Sequence, residues 1–343
     1  MWAMSMRQPF LTRAAAAAIA LATLAPQARA ESPVRGIFNW IHGTGDAERA
    51  FAFYHDVFGV ELARSPFTGG GPAAAETIRP AAQAGADPLV WDLTNTHGSR
   101  FRTVFMRAPN TPFGLELSEF FDIARSGRTP NPWDPGAATL VFSVRDLDAV
   151  VARLKARNAP VVTLGGAAVA TRNGRAVTVR DPDGGMIEVR QGDVVGTSIG
   201  ITVASIARAR EFYEKLLGFA VTSTHTAGTA ELQLHGLSRG SLTETAMTIP
   251  GTAVTVVLSE YRVPAGAATP AHAFDWKLQD VGSPQFQLEV SGLDALIDRT
   301  KSAGYRFLSV GARPIQRAFG RFVFAIDPDS VLVEFVEPAA AVR

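Results

Sequence analysis

A carboxylate stands between two leucines in the segment GLELSEFF, residues 114–121. Successive side chains of a strand point to opposite faces, so Leu115 and Leu117 share one face and Glu116 lies on the other. Such a carboxylate is either a solvated edge residue or part of a site. In a site it can transfer protons or hold a hard cation.

Other reactive motifs are few. The chain has no cysteine, which excludes disulfides, thiolate metal ligands and a thiol nucleophile. The segment GLSRG, 236–240, fits the G-x-S-x-G pattern of serine hydrolases, but that elbow requires a following helix and a strand is predicted here. No phosphate-binding loop, HExxH or dinucleotide-binding fingerprint occurs.

The N-terminal 30 residues indicate an export signal. Arginines flank an alanine-rich apolar run at 14–24, and Ala28-Arg29-Ala30 fits the small-x-small cleavage pattern. The run is short for a transmembrane helix, although an uncleaved anchor remains open. We therefore expect an exported protein, periplasmic or secreted, with no membrane span after cleavage.

The remaining chain is long enough for about two domains. The 33 basic and 32 acidic residues of the full sequence nearly cancel and form no basic run, which argues against nucleic acid as a partner. A small molecule is the expected partner, and the oligomeric state stays open.

An internal repeat organises the chain. The segment AERAFAFYHDVFGVEL at 47–62 matches IARAREFYEKLLGFAV at 206–221, and RDPDGGMIEV at 180–189 matches IDPDSVLVEF at 326–335. LELSEF likewise recurs as VVLSEY, with Val257 in place of Glu116. The repeats predict two domains, 34–192 and 196–338, joined by a short linker.

Each domain contains a smaller repeated pattern of strand, helix and about three strands. Apolar residues spaced by three and four predict helices at 47–58 and 147–158, and Gly59 suits a helix C-cap. The first copy carries a Gly/Ala/Pro-rich insertion between about 63 and 91, which is a candidate lid.

These motifs, in this order and twice over, resemble the vicinal oxygen chelate superfamily of glyoxalase I, bleomycin-resistance proteins and extradiol dioxygenases. The resemblance covers nearly all of 34–338. It implies an α+β fold: tandem modules with four βαβββ units, forming two cup-shaped mixed sheets with helices outside. Metal-dependent members place ligands inside the cup, where a metal acts as a Lewis acid on two neighbouring substrate oxygens.

The resemblance places the ligand positions of the first module at Asn39, Glu116, Thr139 and Glu188. None is histidine, so a zinc or iron(II) site of the usual type is not expected. A divalent cation held by Asn39, Glu116 and Glu188 remains an alternative. The corresponding positions of the second module are Ser198, Val257, Gln285 and Glu334.

Unit pairing affects this site. If the first unit closes with the fourth, the cup combines Asn39, Glu116, Gln285 and Glu334, although no feature of the sequence predicts that exchange. If the cup follows sequence order, Glu116 and Glu188 face each other as an acid/base pair, or as inherited positions without function.

Several further side chains are candidates for substrate binding. Asn39 and Thr139 are expected inside the first cup, and Trp91, Phe113 and His97 near it, with solvated-turn and core roles as the ordinary alternatives. His42 is expected on the helix side of its strand.

The expected function is therefore binding of a small organic molecule in the first cup without zinc or iron(II). The alternative is an enzyme of lyase, isomerase or dioxygenase type, in which Glu116 and Glu188 act with a divalent cation or as an acid/base pair. A third reading, with both cups filled by side chains, is a structural module.

Overall fold

The computed structural model describes residues 31–65, 77–264 and 274–339, which form four successive units. Each unit begins with a strand and a helix and continues with three or four strands, as the repeats predict. The export signal predicted at 1–30 lies outside the described residues. Among those described, no helix has the length and apolar character needed to cross a membrane.

Units 1 and 2 cover 34–121 and 138–191. Unit 1 consists of β1 (Val34–Gly43), α1 (Ala47–Phe58), β2 (Glu61–Leu62), α2 (Pro88–Thr94), β3 (Arg100–Arg107) and β4 (Gly114–Phe121). Unit 2 consists of β5 (Ala138–Val144), α3 (Leu147–Ala156), β6 (Val169–Thr171), β7 (Gly174–Arg180) and β8 (Met186–Gln191).

Units 3 and 4 cover 196–262 and 284–338. Unit 3 consists of β9 (Gly196–Thr202), α4 (Ile206–Arg210), β10 (Ala220–Thr226), α5 (Thr229–Leu234), β11 (Ser241–Thr248) and β12 (Thr255–Arg262). Unit 4 consists of β13 (Pro284–Val290), α6 (Leu293–Ser302), β14 (Arg306–Phe307), β15 (Ile315–Arg317), β16 (Gly320–Ile326) and β17 (Leu332–Pro338).

The bounds of α1 are those predicted. Its first turn is capped by Asp46, whose side chain accepts a hydrogen bond from the backbone N–H of Arg49 at 2.9 Å. Gly59 ends the helix with φ of 68°, a left-handed conformation that glycine adopts without strain. The predicted helix at 147–158 instead ends at Ala156, because Asn158 has φ of 52°.

The insertion of the first copy is only partly described, because residues 66–76 lie outside the described ranges. Its remainder forms a short 3₁₀ turn at Ala81–Gln83 and most of α2. The proposed lid is therefore untested.

In unit 3, α4 passes directly into a π-helical turn at Glu211–Leu216.

The sheets pair units out of sequence order. Unit 1 joins unit 4 in a nine-stranded sheet, because β1 pairs antiparallel with β13. Unit 2 joins unit 3 in an eight-stranded sheet through β5 and β9. Each sheet is curled and mixed, as expected for this fold class. We call the concave side of the first sheet the first cup and that of the second sheet the second cup.

The outer faces of both sheets pack with helices α1, α3 and α6 in one continuous apolar core. Strand alternation sends Leu115 and Leu117 of β4 into this core and leaves Glu116 on the concave face. The same alternation in β17 buries Val333 and Phe335 against helices. The carboxylates of the two strands therefore point into the cup.

The Asp-Pro-Asp turns tie together units that are neighbours in sequence. The Tyr54 hydroxyl of unit 1 donates to Asp181 of unit 2 at 2.8 Å, and Arg49 pairs with Asp183 at 2.8 Å. In the second copy, Tyr213 donates to Asp327 at 2.8 Å. The repeated Phe-Tyr and Asp-Pro-Asp motifs thus hold the fold together.

Candidate functional site

The first cup contains a cavity of about 820 Å³ between units 1 and 4. Phenylalanines and aliphatic side chains form most of its wall, among them Phe101 from β3 and Phe322 and Phe324 from β16. The carboxyl groups of Glu116 and Glu334 line it from two strands of the same sheet. It is a mainly apolar pocket with a polar centre, and Arg64, Arg79 and Arg317 also line it.

Strand register brings the polar centre together. Glu116 on β4 lies beside Ile41 on β1, and Asn39 on β1 lies opposite Gln287 on β13. Gln287 in turn lies beside Glu334 on β17. Because side chains of one face recur every second residue, the four polar residues converge across four adjacent strands.

Two amides bridge the two carboxyl groups. The Asn39 amide donates to Oε1 of Gln287 at 2.9 Å and more weakly to Oε2 of Glu116 at 3.5 Å. Nε2 of Gln287 donates to Oε2 of Glu334 at 2.5 Å. Ser118 Oγ also donates to Oε1 of Glu116 at 3.3 Å. The chain of hydrogen bonds fixes both carboxyl groups in orientation.

No ion pair with a cation is found for either acid among the described residues, so burial favours the protonated form of both. Burial raises the pKa of Glu116 to about 7, against a small lowering by Ser118. Burial and then the charge of Glu116 raise the pKa of Glu334 to about 8, although Gln287 opposes the shift. Near neutral pH the pair therefore holds at least one proton.

The residues of the first cup do not fit a zinc or iron(II) site. Its described lining contains no imidazole and no thiol, the ligands that zinc prefers. Across the described residues, no group of three or more His, Cys, Asp or Glu side chains is placed to hold a metal ion. The donors of the first cup are therefore carboxyl, amide and hydroxyl groups, which is not the usual ligand set of zinc or iron(II).

Asn39 does not act as an open ligand. It is 2% exposed, and its NH₂ group is shared between Gln287 and Glu116. Its Oδ1 faces Gly114, where an added Cβ would lie only 2.3 Å away. Glycine at 114 therefore makes room for the amide, and Asn39 orients the two acids from behind the cavity wall.

The second cup contains a cavity of about 610 Å³ between units 2 and 3. Thr139, Glu188, Ser198 and Val257 all line it. Its walls carry more polar side chains than those of the first cup, including His225 from β10 and Tyr261 from β12. The two cups therefore differ in chemistry.

Glu188 is ionised in this second cup. Arg190 contacts its Oε1 at 2.5 Å, and Nε2 of His235 lies 3.6 Å from its Oε2. Burial alone would raise the pKa of Glu188, but Arg190 and His235 together lower it to about 2. This carboxylate is held as an anion by its neighbours.

The structure does not bring Glu116 and Glu188 together. They lie in different sheets and line different cavities, because unit 1 pairs with unit 4 and not with unit 2. The partner of Glu116 is Glu334, and the metal set of Asn39, Glu116 and Glu188 does not form. Thr139 likewise belongs to the second cup.

The other predicted binding residues lie outside both cavity linings. Phe113 is 1% exposed in the main core, and the indole of Trp91 donates to the carbonyl of Ser99 at 2.6 Å. His97 is exposed on a turn, 3.5 Å from Asp92. His42 is buried on the helix side, 3.3 Å from Asp181.

Sequence reasoning missed Gln287, Arg190, His235 and Tyr261. For Gln287 a signal existed, because Gln285 and Gln287 share one strand face and both line the first cup. For Arg190 the signal was its position two residues after Glu188. His235 and Tyr261 are far apart in sequence, and only the fold brings their side chains within 2.6 Å.

The model of the Glyoxalase/Bleomycin resistance protein/Dioxygenase superfamily matches residues 40–189 and 197–335. The chain therefore belongs to this superfamily, which confirms the resemblance found in the repeats. No curated protein matches the chain.

Two solved structures share the fold over most of their length. Glyoxalase I from Zea mays has a TM-score of 0.55 at 15% identity, covering 88% of this chain and 92% of that chain. A Bacillus subtilis protein described as a candidate dioxygenase has a TM-score of 0.51 at 12% identity, covering 90% and 87%. At such identities the likeness shows the fold alone.

Proposed function

We propose that this chain is an exported, glyoxalase-like protein that binds a small organic molecule in the first cup, without a zinc or iron(II) centre. The observation that carries the proposal is the apolar cavity of about 820 Å³ with two buried carboxyl groups in its lining. Its size falls within the range of small-molecule pockets, roughly 300–1,000 Å³.

The lining indicates what the ligand looks like. Phenylalanine walls suit an aromatic or aliphatic body, since burying apolar surface drives its entry. A protonated carboxyl group both donates and accepts a hydrogen bond, so Glu116 and Glu334 suit a carbonyl or hydroxyl oxygen. An apolar molecule with one or two oxygen groups therefore fits this cup.

An enzyme is the second candidate, and the raised pKa values of the pair favour it. General acid/base groups work best when their pKa lies near the working pH, and those of Glu116 and Glu334 are about 7 and 8. In this version Glu334 takes the role first expected of Glu188. One acid donates a proton to a substrate oxygen while its ionised partner accepts one.

The test is a ligand screen on the chain from residue 31 onward, using aromatic aldehydes, ketones and phenols with binding read by calorimetry. We expect saturable binding that Glu116→Gln weakens about tenfold, because a donor or acceptor is lost. Glu61→Gln makes the same change on an exposed strand and should leave affinity unchanged.

Two further results separate the candidates. Turnover of a bound ligand that Glu116→Gln abolishes, with binding retained, selects the enzyme. Stoichiometric binding of Mg²⁺, Mn²⁺, Ca²⁺, Zn²⁺ or Fe²⁺ that depends on Glu116 and Glu334 overturns the metal-free form. If none of the tested compounds binds saturably to either cup, a structural role is favoured.

Export is part of the proposal and rests on the pattern of residues 1–30. Expression in a Gram-negative host, with fractionation and N-terminal sequencing, tests it. A mature N-terminus at Glu31 in the periplasm or medium is expected, whereas retention of Met1 in the cytoplasm contradicts export.

A further inference from the structure

The second cup carries a set of polar side chains that the first cup lacks. We propose that it is a second, independent ligand site, which takes a small molecule that donates hydrogen bonds, such as a polyol or an amine.

Hydroxyl groups line this cavity, and it has fewer aromatic rings in its wall than the first cup. At its centre, the strand face of β5 and β9 presents Thr139, Ser143 and Ser198. Ala246 of the second cup occupies the repeat position that holds Phe105 in the first cup, so no aromatic ring fills this part of the second cavity. A ligand of about 610 Å³ or less therefore meets a largely polar wall.

Tyr261 presents acceptor capacity to this cavity. Its hydroxyl lies 2.6 Å from Nδ1 of His235, while Nε2 of His235 lies 3.6 Å from the Glu188 carboxylate. Whichever of these two atoms carries the shared proton, the Tyr261 oxygen keeps at least one lone pair for a donor in the cavity.

His225 presents a second acceptor. Its Nε2 lies 2.8 Å from Oε2 of Glu244. A carboxylate only accepts, so Nε2 carries a proton and donates it, and in the neutral ring Nδ1 is then an acceptor. Its Nδ1 is buried and has no hydrogen-bond partner within the described part of the chain. A buried acceptor without a partner costs free energy that a ligand donor would recover.

These features favour a ligand of one class. Tyr261 and His225 both accept, and both line one cavity with Glu188 and Glu244. Arg190 is already paired with Glu188, whereas Arg172 also lines the cavity and adds a cationic donor to its wall. Hydroxyl and ammonium groups are the donors that match this arrangement, and they define the two arms of the test.

The experiment uses the chain with ¹⁵N-labelled histidine and follows the imidazole ¹⁵N resonances during titration. One arm uses glycerol, D-glucose and myo-inositol, and the other uses ethanolamine and 1,3-diaminopropane. We expect one arm to shift Nδ1 of His225 saturably, with a Kd of about 1 mM or tighter. The arm that responds identifies the donor as hydroxyl or amine.

Variants assign the response to this cup. Tyr261→Phe removes a single oxygen and should weaken binding about tenfold, while His225→Phe should abolish it, as read at the ¹⁵N resonances of His235. His97→Gln, an exposed histidine outside both cavities, is the matched control and should bind as the parent does.

Two results would overturn the proposal. One is the absence of any saturable shift with either set of probes. The other is binding that Tyr261→Phe leaves unchanged. Because the readout is local to His225, failure here leaves ligand binding in the first cup untouched, and the reverse also holds.

Discussion

Glu334 in the first cup and Glu188 in the second occupy the same position of the repeat, yet their pKa values are shifted in opposite directions. Both are 4% exposed on the closing strand of their unit. The pKa of Glu334 is raised to about 8 and that of Glu188 is lowered to about 2. The fold sets the burial of this carboxyl group, and its neighbours set its ionisation.

The difference lies in two further positions. Two residues beyond the glutamate, the second cup has Arg190 where the first has Val336. Across the sheet, the first cup has the acid Glu116 where the second has Val257. Arg190 lowers the pKa of Glu188, and the second acid Glu116 raises the pKa of Glu334. The same fold therefore holds a protonated glutamate in the first cup and an ionised one in the second.

The largest expected effect is on stability against pH in the first cup. Glu116 and Glu334 have folded pKa values above the unfolded value of 4.5, so the folded state retains protons that the unfolded state has lost. The free energy of unfolding should fall by on the order of 6 kcal/mol between pH 5 and pH 8 for the two groups together. Urea denaturation across this range measures the slope.

Glutamine at both positions removes this titration. The double variant Glu116→Gln, Glu334→Gln should be more stable than the parent at pH 8 and lose most of the slope. Glu61→Gln on the exposed β2 should keep the parental slope. A parental slope in the double variant would show that the pair does not titrate as described.

Glu188→Gln should have the reverse effect. It leaves Arg190 and His235 without their anion and should lower the free energy of unfolding by about 2 kcal/mol at pH 7. Since the folded pKa of Glu188 is about 2, its contribution is present above the unfolded value of 4.5 and disappears as pH falls toward 2. The variant and the parent should therefore converge in acid.

Arg190→Val copies into the second cup the residue that the first cup has at this position. It should raise the pKa of Glu188 by on the order of one unit, because His235 alone then opposes burial. A ¹³C carboxyl titration in the variant measures the shift. An unchanged pKa would assign the anion to His235 alone.

The smallest expected effect is at His97. Because this residue is exposed and lies outside both cavity linings, His97→Gln should change the free energy of unfolding by less than about 0.5 kcal/mol. A larger change, or altered ligand binding in either cup, would place this turn at a site that the described residues do not show.

The fold was largely predictable because its signals are local and repeated. Helical periodicity and Gly59 give the bounds of α1, and strand alternation gives the orientation of Glu116 into the cup. These features depend on residues a few positions apart. The superfamily follows because the same motifs recur in order.

The candidate site was less predictable because it depends on unit pairing. Asn39 meets Gln287 only because β1 pairs with β13, some 250 residues later, and no local pattern favours this over pairing with β5. The exchange moves Glu188 and Thr139 to the second cup. It also gives Glu116 a different partner, which changes the chemistry of the pair.

The most direct test compares the two equivalent carboxyl groups in one experiment. A ¹³C NMR titration of side-chain carboxyl resonances, assigned through Glu334→Gln and Glu188→Gln, reports both in the same sample. We predict that at pH 6 Glu334 is protonated and Glu188 is ionised, with Glu334 titrating near pH 8. If both are ionised at pH 6, neighbouring residues do not set the charge of this position, and the contrast between the two cups is wrong.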